Sequence, residues 1–174
     1  SFSGNIQAGL YGGCEKLYQA AQSVISPIIN ALYPYLVNNK DQSFFFKLVA
    51  SLTILLILGC AGCIWLAEWI VTLILGDEFI VAADVFIVFM CIVPISFVSM
   101  NFGYPAFALI DRVRVANITV IIGSVFHLAA LVLLGLLESI SAINVALVIF
   151  VTETLILILR LSLFFKLKTS KDPS

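Results

Sequence analysis

The chain has 174 residues, of which 62% are hydrophobic and 11% are charged, with a net charge of −1 and a single histidine. Together with a mean hydropathy of +1.16, this composition excludes a water-soluble domain and indicates an integral membrane protein. The chain also lacks the basic charge of a nucleic-acid-binding protein and the ligand clusters of a metal enzyme, so no nucleic acid, metal or organic cofactor is expected.

Hydropathy and turn residues predict an all-α protein with five membrane-spanning helices. The uncharged run 115–137 would extend over roughly 34 Å as a helix, enough to cross a hydrocarbon core of about 30 Å. Strands of a membrane barrel would be about half as long and would alternate in polarity. The predicted helices are 5–37, 44–75, 81–110, 113–137 and 142–167, which form a membrane domain over 1–168 followed by a tail over 169–174.

The first predicted helix is the least apolar. Six polar residues fall within a sector of about 60–80° when the helix is drawn at 100° per residue: Glu15, Gln19, Gln22, Ser26, Asn30 and Tyr33. The opposite side is predicted to pack against other helices, and it carries Leu17, Ala20, Val24, Ile28 and Ala31. Pro27 and Pro34 are predicted to break this helix. Such a helix lines a water-filled path; the alternative is an interfacial helix, although the polar face lacks the Lys and Arg typical of one.

The second predicted helix contains a Cys-x-x-Cys pattern at Cys60 and Cys63. A redox site would need a helix N-terminus and solvent, whereas this pattern lies in the middle of a span. With Gly59 and Gly62, the two cysteines are instead predicted to form a small-residue face that lets a neighbouring helix approach closely.

Two ionisable residues lie in the middle of the last two predicted helices. A charge at the depth of Glu153 costs roughly 2.5–3.5 kcal/mol on insertion scales, so it requires compensation. His127 lies at a similar depth, and a contact between the two is expected if their helices pack together. Two interpretations stay open: proton or sodium coupling, or a structural bond with Glu153 protonated. Arg160, two turns beyond Glu153, is predicted to extend to the cytoplasmic surface.

The distribution of cations predicts the orientation of the chain. Cations follow the first, third and fifth predicted helices, at Lys40, Lys47, Arg112, Arg114, Arg160, Lys166, Lys168 and Lys171. The loops at Asp77 and Glu138 carry none. By the positive-inside rule, the C-terminus is cytoplasmic and the N-terminus lies outside. An outside N-terminus without a signal peptide leads us to expect that further helices precede this chain, which would then be a fragment.

Three segments carry a family resemblance. The runs GLYGGCEKL (9–17), QSVISPI (22–28) and ALYPY (31–35) resemble the stretch "GYYSxAEKL…SxxSPISxALYPY" of O-antigen and polysaccharide flippases. The turn ILGDEF (74–79) resembles their "LxGxEF" motif. The chain is identified on these residues as similar to the C-terminal portion of that family, within the multidrug/oligosaccharidyl-lipid/polysaccharide exporter superfamily.

The resemblance implies a twelve-helix transporter of two lobes in the bacterial inner membrane, of which this chain would supply the last five helices. It would move a polyprenyl-pyrophosphate-linked oligosaccharide without enzyme activity. Its partners would be membrane lipids, the N-terminal lobe of the same protein and the polysaccharide polymerase machinery. The motif match extends to Glu15, Lys16, Ser26, Pro27 and Pro34, and Lys16 is the candidate contact for the pyrophosphate.

Two alternatives stay open beside the flippase hypothesis. A drug or cation antiporter of the same superfamily would have a more apolar cavity with acidic residues. A truncated, non-functional membrane fragment would transport nothing alone.

Overall fold

The computed structural model describes residues 2–171, with side chains described from residue 7 to residue 169. Within this part the chain forms seven α-helices and one 3₁₀ turn, connected by short loops. The helices are α1 (Phe2–Asn39), α2 (Gln42–Trp65), α3 (Ala67–Leu75), α4 (Ala83–Asn101), α5 (Tyr104–Leu109), α6 (Arg114–Leu136) and α7 (Ala142–Lys171), and the 3₁₀ turn is Asp77–Ala82. Residues 172–174 of the predicted tail lie outside the described residues.

Two of the predicted helices are each divided. The predicted helix 44–75 consists of α2 and α3, which meet at Leu66. The predicted helix 81–110 begins inside the 3₁₀ turn, continues as α4 and, after a break at Phe102 and Gly103, ends as α5. Pro105 lies in the first turn of α5, where a backbone N–H has no partner within the helix, so proline costs no hydrogen bond there. The break brings the Gly103 backbone close to α7, which matters for the site described below.

Helix α1 continues through both of its prolines, so the predicted break at Pro27 and Pro34 is wrong. Proline is tolerated inside a membrane helix when serine side chains or neighbouring helices satisfy the backbone groups around it. The Ser26 hydroxyl donates to the Gln22 carbonyl oxygen over 2.8 Å in the turn before Pro27. Helix α1 is continuous from Phe2 to Asn39.

Four helical segments are long and apolar enough to cross a membrane: Gln42–Trp65, Asp77–Leu109, Arg114–Leu136 and Ala142–Thr169. They make the protein an all-α, multi-pass membrane protein, as its sequence predicts. Helix α1 is not among the four because polar residues recur along it. A fifth span therefore stays a prediction.

The α4 segment is the centre of the bundle. Half of its most apolar window is buried inside the protein, against 11–17% for the other three segments. Helix α4 packs against α1, α2 and α7, and α6 packs against α7. One end of the bundle is filled by an aromatic cluster of Phe45, Phe46, Phe102, Phe107, Phe164 and Phe165. The Lys168 ammonium lies 5.3 Å from the ring centroid of Phe46.

The loops after α1 and α5 meet at this end of the bundle. Lys40 forms an ion pair with Asp111, with Nζ and Oδ1 2.5 Å apart, and also donates to the Ala108 carbonyl oxygen. Both Lys40 and Asp111 have positive φ, at 52° and 58°. The two cation-bearing loops that the charge pattern assigns to one side of the membrane thus lie together.

The close helix approach occurs at Gly123 of α6 rather than at the predicted face on α2. A Cβ at Gly59 or Gly62 would meet no atom of the described chain within 4 Å. At Gly123 an added Cβ would come closest to Cδ1 of Ile156 on α7, the atom that valine lacks, and would lie 2.6 Å from Cγ1 of the same side chain. The prediction of a close approach at the Cys60–Cys63 segment is therefore wrong for contacts within the described chain, where Cys60 and Cys63 are free thiols.

We predict that Gly123→Ala destabilises the protein by about 1–3 kcal/mol, the usual result of forcing a methyl group into a packed interface. Thermal unfolding in detergent measures this effect. Gly59→Ala is the matched control, because its Cβ is unobstructed, and it should leave the unfolding temperature unchanged or raise it. Ile156→Val should recover part of the loss in the double variant. A Gly123→Ala protein as stable as wild type would contradict the packing described here.

Candidate functional site

The predicted polar face of α1 turns inward only in part. Lys16, Gln19 and Asn30 are exposed, and Glu15, Gln22, Ser26 and Tyr33 are half-buried. The prediction of which side of α1 packs against other helices is wrong, because Val24 is 73% exposed and Ile28 is 36% exposed. The buried side chains of α1 are Leu10, Cys14, Ile25, Leu32 and Leu36. They lie about one to three turns apart on one face of α1, which packs against α4, α5 and α7, so the exposed apolar residues are left for lipid or another helix.

Two of the predicted residues, Asn30 and Tyr33, line a cavity of about 560 Å³ between α1, α5 and α7. We call it the tyrosine cavity, because Tyr33 and Tyr104 form an edge-to-face pair there with centroids 6.3 Å apart. The Tyr104 hydroxyl donates to Oδ1 of Asn117 on α6. Arg160 is the charged residue of the lining. The cavity thus combines hydroxyl, amide and guanidinium groups.

Arg160 lies inside the bundle, so the prediction that it extends to the cytoplasmic surface is wrong. Arg160 is only 7% exposed. Nε donates to the Thr119 hydroxyl of α6 over 3.0 Å, and Nη1 donates to the carbonyl and hydroxyl oxygens of Ser99 on α4 over 2.6 and 3.1 Å. These three bonds hold the guanidinium in place. A flexible side chain that extended into water would not form them.

The break between α4 and α5 makes room for this arginine. A Cβ at Gly103 would lie 3.2 Å from both Cζ and Nη1 of Arg160 and 3.0 Å from the Met100 carbonyl oxygen. A side chain at this position would therefore press on the guanidinium and on fixed backbone. Gly103 lets the α4–α5 corner cover one face of the arginine.

Arg160 also borders a second opening, a groove of about 640 Å³ between α6 and α7. We call it the histidine groove, because His127, Glu153 and Thr152 line it together with Ser124. Among the described residues Arg160 forms no ion pair with Glu153, although the two charges interact electrostatically along α7. The arginine is therefore a shared wall of both openings.

His127 and Glu153 lie in the same groove, but the structure does not join them by a hydrogen bond. His127 Nδ1 is 3.2 Å from the Thr152 hydroxyl. That hydroxyl also lies within hydrogen-bonding distance of the Val148 carbonyl oxygen of its own helix, at 2.7 Å. Glu153, the next residue, interacts with His127 only electrostatically.

Ser96 of α4 connects to the polar side of α1. Ser96 Oγ lies 3.1 Å from the Tyr18 hydroxyl, which accepts from Nε2 of Gln22 over 2.6 Å. The predicted cavity residue Gln22 is thereby tied to α4 through Tyr18.

The sequence reasoning did not identify the residues that organise this site. Ser96, Ser99 and Thr119 are single hydroxyls in apolar helices, where such side chains usually bond to their own helix. Tyr18 carries a weak signal, because it precedes Gln22 by four residues and so faces the same way on α1. Of the other predicted residues, Lys16 and Gln19 are exposed on the surface of α1, and Glu15 accepts from Gln19 over 3.4 Å.

Comparison of the chain with protein-family models, curated proteins and solved structures finds no significant match. The resemblance to polysaccharide flippases thus depends on the segments quoted above.

Proposed function

We propose that this chain contributes to a secondary transporter that moves a polyprenyl-pyrophosphate-linked oligosaccharide, such as an O-antigen repeat unit, across the bacterial inner membrane. The observation that carries this proposal is Arg160, a buried and oriented cation at the wall of two openings within apolar helices. Ionisable residues at such depth in membrane helices usually mark a substrate or ion path. The transport step makes and breaks no covalent bond.

The tyrosine cavity fits the polar part of this cargo. Asn30, Tyr33 and Tyr104 offer the amide and hydroxyl groups that pair with sugar hydroxyls. A guanidinium suits phosphate oxygens better than an ammonium does, because its donors form a fixed planar fork. Arg160 is for this reason a better candidate than the exposed Lys16 for the pyrophosphate. The polyprenyl tail would stay in lipid along the exposed apolar helix faces.

The histidine groove supports ion coupling within the same proposal. Glu153 and His127 are ionisable groups of this groove, and ionisable groups at such depth usually mark a path for protons or ions. Under this proposal a proton or sodium ion binds at Glu153, and the sugar binds in the tyrosine cavity beside α1. A second lobe, as in the family that the chain resembles, would complete the transport path.

Deleting the gene that encodes this chain should abolish the surface polysaccharide and leave lipid-linked repeat units on the cytoplasmic leaflet. The accessibility of those units to a periplasmic ligase or to an added glycosidase shows which leaflet holds them. Complementation with the whole gene should restore export. Normal polysaccharide in the deletion strain would refute the proposal.

The same strain separates the alternatives. A drug or cation antiporter would export a cationic dye and leave the polysaccharide unchanged. Buried Arg160 disfavours this outcome, because it would repel a cationic cargo from both openings. A non-functional fragment would produce no difference between the deletion and the parent strain in either assay.

A further inference from the structure

The ring of Tyr104 and the guanidinium of Arg160 belong to the same wall of the tyrosine cavity. Tyr104 directly follows Gly103, where an added Cβ would lie 3.2 Å from both Cζ and Nη1 of Arg160. Both side chains line the cavity. An aromatic ring and a fixed cation thus share one opening.

Two contacts from other helices hold the Tyr104 ring. Its hydroxyl donates to Oδ1 of Asn117 on α6, and Tyr33 on α1 meets it at an interplanar angle of 84°. An edge-to-face pair covers at most one face of each ring, and Tyr104 is still 46% exposed. Because Asn117 already takes the hydroxyl proton, the ring itself is the main group that Tyr104 offers to a ligand.

The guanidinium of Arg160 keeps one nitrogen for a ligand. Its bonds to Thr119 and Ser99 come from Nε and Nη1. Within the described part of the chain Nη2 forms no such bond, so its two N–H groups are the donors left over. Guanidinium N–H groups bind phosphate oxygens well, because the charge strengthens each hydrogen bond.

We propose that the tyrosine cavity binds a sugar 1-phosphate unit, with the sugar ring stacked on Tyr104 and the phosphate bound by Arg160. A pyranose ring presents C–H groups on a face, and the negative face of an aromatic ring attracts them. The hydroxyls at the edge of the sugar would meet Asn30 and Tyr33. The cavity, about 560 Å³, has the size of a small-molecule site.

The inference rests on the proposed function and makes it more specific. In a polyprenyl-pyrophosphate-linked oligosaccharide the first sugar is joined directly to phosphate, so one unit of the cargo carries both groups that the cavity recognises. Tyr104 becomes the specificity residue for that first sugar. Asn117 becomes a positioning residue, because it acts through the Tyr104 hydroxyl.

Calorimetric binding to the purified full-length protein tests this proposal with the 1-phosphates of glucose, galactose and N-acetylglucosamine, and with inorganic phosphate. The wild type should bind at least one sugar 1-phosphate roughly 3- to 10-fold more tightly than phosphate, the contribution of one aromatic contact. Glycerol 1-phosphate, which has the phosphate of a lipid headgroup but no ring, should bind no better than inorganic phosphate.

Substitutions separate the ring from the charge. Tyr104→Leu should remove most of the preference for the sugar and leave phosphate binding unchanged, whereas Arg160→Gln should weaken the binding of both. Tyr104→Phe and Asn117→Ala break one hydrogen bond from its two ends. Each should reduce the preference by a similar factor, and the double variant should lose no more than either alone.

Tyr35→Leu is the matched control. Tyr35 is 40% exposed and packs on another ring, that of Phe44, with centroids 5.0 Å apart. It does not line the tyrosine cavity. The same substitution there should leave the affinities for sugar 1-phosphate and for phosphate unchanged.

Saturation-transfer NMR on the wild type provides a measurement that needs no variant. Irradiation of the tyrosine ring protons should mark the C–H groups on one face of the bound sugar more strongly than those on the other.

Three results would overturn the proposal: equal affinity for phosphate and all three sugar 1-phosphates, a preference that persists in Tyr104→Leu, or equal marking of both sugar faces. None of these measurements requires transport. A sugar 1-phosphate preference in a protein whose deletion leaves the surface polysaccharide normal would count against the proposed function alone.

Discussion

Replacing Arg160 with glutamine should reduce delivery of lipid-linked oligosaccharide to the outer leaflet by roughly 10- to 100-fold, because a charge-assisted hydrogen bond contributes about 1.5–3 kcal/mol. Glutamine can retain a bond to Ser99 or Thr119 but carries no positive charge into the tyrosine cavity. Translocation in proteoliposomes, compared at equal amounts of folded protein, measures the loss. The amount of surface polysaccharide in cells provides a second readout.

Two further variants separate the charge of Arg160 from its structural bonds. Arg160→Lys keeps the charge, but one ammonium cannot reproduce the fork that reaches both Thr119 and Ser99, so we expect an intermediate rate. Lys166→Gln removes an exposed cation from the same helix and should leave transport unchanged. Wild-type transport by a stable Arg160→Gln protein would refute the assignment of this residue to the cargo path.

Replacing Glu153 with glutamine should abolish gradient-driven transport, because an amide neither takes up a proton nor binds a cation by charge. The prediction is a complete loss of the response to an imposed pH or sodium gradient, measured in proteoliposomes of the full transporter. Comparing the two gradients in the wild type identifies the coupled ion. Downhill movement without a gradient can persist in the variant, since the tyrosine cavity is unaltered.

Glu68→Gln is the matched control for this experiment. Glu68 is an exposed carboxylate near the start of α3, so the same chemical change there should leave transport unaffected. If Glu153→Gln transports as well as wild type across a pH series, ion coupling at Glu153 is refuted. Glu153 would then have the alternative, purely structural role.

The approximate ends of the helices could be predicted from the sequence, because a membrane-spanning helix must be apolar over the thickness of the bilayer and must satisfy its own backbone hydrogen bonds. The predicted segment 113–137 differs from α6, Arg114–Leu136, by one residue at each end. The divided helices were harder to foresee. The sequence around the break at Phe102 and Gly103 contains no long polar segment. The backbone N–H groups of these two residues donate to the carbonyl oxygens of Val98 and Met100 in α4.

The packed side of α1 could not be predicted, because two different apolar faces were available. Periodicity favoured the side with Val24 and Ile28, which the structure leaves exposed. The buried side instead contains Ile25 and Leu32 beside the half-buried polar Gln22. In lipid an exposed apolar side chain carries little penalty, so hydropathy does not tell a helix which face to bury.

The sequence by itself determined the membrane class, the approximate length of the spans and the isolation of Glu153 and His127, because hydrocarbon demands internally bonded helices and few charges. Only the tertiary structure decided that Arg160 turns inward to Ser99 and Thr119 and that Tyr18 joins Gln22 to Ser96. Those contacts depend on how each helix is rotated about its axis against three neighbours, and no period in a single helix encodes that rotation.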